Sequence, residues 1–218
     1  MGRAIVKRAS TTVDMTAMCD VAFLLLTFFI LATEFKPAEA VNVSPPSSVA
    51  SKAAPQSDAF TVSLDKQGRV FVEMSDVMKE DVIEEINTSR NLSLSPDDIK
   101  YFKASTFVGV PLAQLNQFTR LTPEQLAKTN LIGIPVDSAN NELQAWINAA
   151  VNSYKGRKIN FLIKGDNEAK YPGFKGVIEA FKKNEIFKYQ LVTNPEEVPA
   201  GSELHKRNMA GDVEPAEE

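Results

Sequence analysis

One cysteine and one histidine are all that this chain of 218 residues carries of either type. A single cysteine forms no intrachain disulfide, and so few soft ligands assemble no Cys/His zinc site. A Ser-His-Asp or Cys-His enzyme would have to use His205, which sits in an acidic, proline-containing tail. The chain also lacks a basic excess. Lys and Arg total 24 against 28 for Asp and Glu, a net charge of −4. Nucleic-acid binders normally carry the opposite balance, so that class is disfavoured. No nucleophile–base pair, glycine-rich phosphate loop or metal-ligand spacing is present. The sequence therefore reads as a non-enzyme, with no cofactor and no metal.

Apolar residues are not scarce. They make up 44% of the chain, enough for a packed core. They are unevenly placed. Residues 15–33 read MTAMCDVAFLLLTFFILAT, with Asp20 as the only charge. Nineteen residues at ~1.5 Å each span roughly 28 Å, close to the ~30 Å hydrocarbon core of a bilayer. Arg3, Lys7 and Arg8 precede the run. By the positive-inside rule residues 1–14 form a cytoplasmic stub, and the chain beyond the helix lies on the far side. A cleaved signal peptide is the competing reading, with Ala38-Glu39-Ala40 as its cleavage pattern. The uncharged run is long for such a leader, and an acid lies near its start.

Asp20 is the informative residue. An ionised Asp in hydrocarbon costs ~2.5–3.5 kcal/mol on insertion scales, so a plain anchor would carry Leu or Ala there. At ~100° per residue Thr16, Asp20, Leu24, Thr27, Leu31 and Glu34 fall along one side of a helix. Thr16 and Thr27 thus extend a sparse polar stripe around the acid. Low dielectric disfavours the charged carboxylate, so an acid that passes between dry and wet surroundings can carry protons. The alternative is an Asp that pairs with a basic residue of a neighbouring helix. The residues by themselves leave both open.

The string from Val13 to Ile30, VDMTAMCDVAFLLLTFFI, resembles the membrane segment of the ExbD/TolR biopolymer transport proteins. Thr16 and the Asp20-Val21 pair match the family pattern. Ala17 replaces its usual Pro, and Cys19 takes a normally apolar place. The resemblance implies that Asp20 is the family's membrane carboxyl and that the protein is an inner-membrane stator subunit driven by the proton motive force. It implies a dimer inside a ring of ExbB/TolQ-like subunits, coupled to a TonB- or TolA-like transducer. It also admits contact with peptidoglycan. A membrane-anchored periplasmic binding or scaffold module, with no proton coupling, is the other functional reading.

Beyond the helix the expectation is a linker and a small α+β domain of order β-β-α-insert-α-β-α-β. Residues 37–57 are rich in Pro, Ala and Ser and read as the linker. The periplasmic domain covers 58–194. Ala59–Leu64 and Arg69–Met74 alternate like strands about a turn at Lys66-Gln67-Gly68. Lys79–Ser89 carries Val82, Ile83 and Ile86 at helical spacing. Residues 91–140 read as a helical insert. Ser95-Pro96-Asp97-Asp98 opens one helix there, and Thr122-Pro123-Glu124-Gln125 opens another, with Thr and Gln at capping-box spacing. Asn141–Tyr154 should be a helix burying Leu143, Trp146, Ile147, Ala150 and Val151, stopped at Gly156. Lys158–Lys164 should be a strand and Pro172–Asn184 a helix. Phe187–Thr193 should be the last strand, with Phe187, Tyr189 and Leu191 on one face. Residues 195–218 hold seven acids and read as a disordered tail.

Overall fold

The computed structural model describes residues 15–32, 43–49, 54–55, 57–121, 125, 129, 131–154, 157–203 and 205–206. The chain divides into two compact units, Met1–Ala38 and Glu39–Glu218. The first contains one helix, α1 (Met15–Ala32). The stub 1–14, Glu34, the Thr122–Glu124 helix start and Gly156 lie outside the described residues.

The second unit is built on a four-stranded sheet. Its strands are β2 (Ala59–Leu64), β3 (Val70–Met74), β4 (Asn160–Gly165) and β5 (Gln190–Leu191), in the order β3-β2-β4-β5. The first pair is an antiparallel hairpin, and the other two pairs are parallel. The register aligns Phe60 with Met74 and Phe161, and Val62 with Val72 and Ile163. Period-2 alternation then places these side chains on one face, where all are buried. That face carries the helices α2 (Asp76–Arg90), α5 (Leu143–Ser153) and α6 (Tyr171–Lys183). Asp76 opens α2 and Arg90 closes it, both signs matched to the helix dipole, and Asn91 at φ 52° turns the chain out.

The insert forms α3 (Pro96–Ala104), a single 3-10 turn (Leu112–Gln114) and the short α4 (Leu115–Phe118). Its apolar residues Val110, Leu112, Leu115 and Phe118 join the same core. Trp146 of α5 stacks on Phe102 of α3, with ring centroids 6.0 Å apart and 13° between planes. Buried Lys79 of α2 donates to the carbonyl of Ser105 at 2.7 Å and to Asp76 at 2.6 Å. A cation at the C-terminal end of α3 satisfies carbonyls that the helix itself leaves open. Near the middle of α6, a Cβ on Gly176 would stand 2.2 Å from the Val136 carbonyl, so only glycine lets this helix lie against the insert's return.

Asp98 holds the insert's first helix. Its carboxylate accepts from the Ser95 amide at 3.0 Å and the Ser95 hydroxyl at 2.8 Å, while Ser95 Oγ accepts from the Asp98 amide at 3.2 Å. Arg120 lies 3.5 Å away. The Ser95 hydroxyl and amide hold the Asp98 carboxyl below the ordinary 3.8, with a smaller push from Arg120. A depressed folded-state pKa gives stability that is complete above 3.8 and is lost as pH falls through the folded value. Asp98→Ala should therefore cost about 1–2 kcal/mol at neutral pH. In urea titrations the gap to wild type should narrow as pH drops below 3.8. A gap independent of pH would remove the ionised carboxylate from the account.

Four expectations need correction. The last strand is only Gln190–Leu191, because its pairing with β4 stops at Leu162 and Ile163. Tyr189 alone turns inward, 5.5 Å from Phe181, while Phe187 and Leu191 stand exposed. On α5 it is Ala149 that is buried and Val151 that is exposed. The helix touches both α2 and α6, and this second neighbour rotates the buried arc. Within the stretch read as linker, Ser47–Ser48 forms β1, parallel to β6 (Asn194–Pro195). Val43 is buried, and the Ser44 amide donates to Asp166 at 2.9 Å. The described part of the tail runs to Lys206, with His205 half-buried. Bonds between segments about 150 residues apart leave no local pattern.

Candidate functional site

The apolar helix α1 carries the candidate site. Its mean hydropathy is 2.2, and no residue of it is buried. At ~1.5 Å per residue its 18 residues span about 27 Å. Leu and Phe without interruption by Gly or Pro make the segment helical, and intrasegment hydrogen bonds are what hydrocarbon demands. Phe23, Leu26, Phe29 and Ile30 are exposed on several sides, an apolar surface suited to lipid or to partner helices.

The residues of the polar stripe, Thr16, Asp20 and Thr27, lie along one side of α1. Thr16 lies one turn before Asp20. Thr27 lies seven residues after it, about 10.5 Å along the axis at 1.5 Å per residue. Its hydroxyl donates to the Leu24 carbonyl at 2.9 Å. Thr27 is half-buried and every other residue of α1 is exposed. Within one copy of the helix Thr27 does not reach the Asp20 carboxylate. Cys19 is exposed beside it.

Among the described residues no group of three or more His, Cys, Asp or Glu could hold a metal ion. A polar cleft of about 520 Å³ opens between the β2–β3 turn and the end of β4, lined by Ser44, Asp65, Lys66, Arg69, Asp166 and Glu168. Two of its three carboxylates, Asp65 and Asp166, are committed to the fold. Asp65 accepts from the amides of Gln67 and Arg69 and from Arg69 Nε at 2.7 Å. Asp166 accepts from the amides of Ser44 and Glu168, and these two bonds, the first above all, hold its carboxyl below the usual range. Buried Tyr154 donates to Asp58, and its phenol is pushed up by burial and by that carboxylate. None of these groups is a nucleophile set against a base.

A single apolar helix bearing one acid, followed by a small mixed helix-and-strand unit, is the layout of a membrane-anchored protein. The family model described as "Biopolymer transport protein ExbD/TolR" matches residues 7–196. The chain belongs to the ExbD/TolR family. No curated protein and no solved structure matches it. The match covers α1 and nearly all of the soluble unit, including the insert. Membership gives the chain an energy-coupling role in biopolymer transport and a place as a single-pass protein of the inner membrane. The family is a non-enzymatic one that works with ExbB/TolQ and TonB/TolA proteins.

Proposed function

We propose that this chain is a proton-driven stator subunit and that Asp20 is its proton carrier. The observation that carries the reading is the lone carboxyl in an otherwise uncharged membrane helix, inside the stretch matched to the family. Burying such a charge is costly, and a membrane acid is by default a functional group. One charge crossing 100 mV is worth ~2.3 kcal/mol, enough to bias a two-state movement. Two copies of α1 would sit within a ring of ExbB/TolQ-like subunits, with the N-terminus cytoplasmic and the soluble domain periplasmic. Asp20 takes a proton from the periplasmic side through a partner-lined path. Neutralised, it turns past the apolar surface of the ring and releases the proton toward the cytoplasm. The soluble unit passes the motion to a TonB- or TolA-like transducer. Thr16 is placed one turn from the acid to orient it. Thr27 acts through water or through a neighbouring helix, given its distance along the axis.

The competing reading, a tethered binding or scaffold module, makes the helix a mere anchor. Exchanging residues 15–33 for an unrelated membrane-spanning helix separates the two. The stator reading expects energised uptake at the outer membrane to fall to background while the soluble unit stays folded and membrane-bound. Uptake at wild-type rates would establish the anchor instead.

A further inference from the structure

We propose that the insert is an edge guard, whose segments at Val108 and Ile134 occupy the outer edge of β3 and prevent a second copy of this chain from pairing there.

The sheet has two edges. On its inner side β3 pairs with β2. On its outer side the Val72 amide donates to the Val108 carbonyl and the Val108 amide to the Val72 carbonyl, both at 2.8 Å. The Ile134 amide donates to the Val70 carbonyl at 2.8 Å. The two guard segments are tied to each other, Gly133 donating to Gly109 at 2.9 Å. Each gives β3 a single bridge residue. Neither is a strand, so the ladder ends there instead of moving outward by one strand.

Side chains seat the guard. Phe107 meets Phe71 edge to face at 6.1 Å. Gly109 lies so close to the Phe71 ring that a Cβ there would stand 2.1 Å from it. Arg69, held by Asp65, donates to the Leu131 carbonyl at 2.9 Å. Residues on and beside β3 thus grip both segments.

What the guard excludes follows from β3 itself. Val70-Phe71-Val72-Glu73-Met74 is an apolar, β-prone run, and such a strand left open on an edge recruits another. An antiparallel strand is self-complementary about a two-fold axis, so a second copy is the fitting partner. The opposite edge, β5, is two residues long. Short edge strands are themselves a protection, whereas the longer β3 needs a cover.

The test uses the full-length chain in nanodiscs, in a Cys19→Ser background, with Glu73→Cys on β3 and a short bis-maleimide. Two guard variants are compared. Val108→Pro/Ile134→Pro removes both amide donors to β3. Gly109→Val drives the segment off the Phe71 ring. Hydrogen exchange at the Val72 amide reports whether the edge has opened. The expected result is a dimer cross-linked through position 73 whose yield rises about tenfold when the edge opens, in line with the loss of two hydrogen bonds. Three results would overturn the proposal: an open Val72 amide with no added dimer, equal dimer with the guard intact, or a Val72 amide that stays protected in both variants.

Discussion

Asp20→Asn should assemble to wild-type abundance in the membrane yet reduce transport energised by the proton motive force to background. Asn nearly matches Asp in volume and helix propensity, and it is less costly to insert, so anchoring and folding are preserved. It cannot bind and release a proton, so the step that couples movement to the membrane potential has no carrier. A drop of two orders of magnitude or more in uptake rate is the expected size, since a titratable group has no partial substitute in an amide. The measurement is growth or uptake that depends on outer-membrane active transport, at matched protein level. Asp20→Glu keeps the acid and should restore part of the rate. If Asp20→Asn transports normally, the acid is a structural residue, and the working surface must be sought in the soluble unit.

The second large effect lies in the soluble unit. Trp146 is fully buried and stacks on Phe102, joining α5 to the insert. Trp146→Ala should cost about 3–5 kcal/mol, the range for emptying a buried aromatic site. That is a large share of the ~5–15 kcal/mol that a domain of ordinary stability possesses. Trp146→Phe should cost far less, about 1.5 kcal/mol or below. The stacked ring is kept, and the indole N–H has no hydrogen-bond partner among the described residues. Urea unfolding followed by circular dichroism gives the comparison, because the tryptophan removed is the only one in the chain. Equal losses in the two variants would mean that the indole N–H makes a bond that the packing account omits.

These predictions stand at different distances from the sequence. Asp20 was legible at once, because a charge in an apolar run violates the composition of its surroundings. The family match covers that residue and leaves its role to experiment. The helix start at Ser95 was legible too, and the structure adds the Ser95–Asp98 capping box and the Arg120 contact that makes it a joint between two parts of the insert. Thr27 illustrates the limit of a helical wheel. Angular position placed it beside the acid, while the rise per residue sets it two turns away. Buried Lys79 left only a faint signal, a lysine three residues after Asp76 on a helix face otherwise apolar.

What the sequence determined by itself is what short-range physics encodes. Hydrophobic length marked α1, alternation marked β2 and β3, and 3.6-residue spacing marked α2, α5 and α6. Capping chemistry marked the start of α3. Each of these depends on residues within a few positions of one another. Tertiary structure alone decided the rest. It settled which arc of α5 faces inward, because two neighbouring helices compete for it. It cut β5 to two residues, because a strand extends only as far as its partner offers bonds. It drew residues 43–49 out of the linker, because β1 pairs with backbone about 150 residues away. It closed the outer edge of β3 with Val108 and Ile134, which carry no strand pattern of their own. Backbone hydrogen bonds between distant segments are nearly indifferent to side-chain identity, and so they leave the least trace in a sequence.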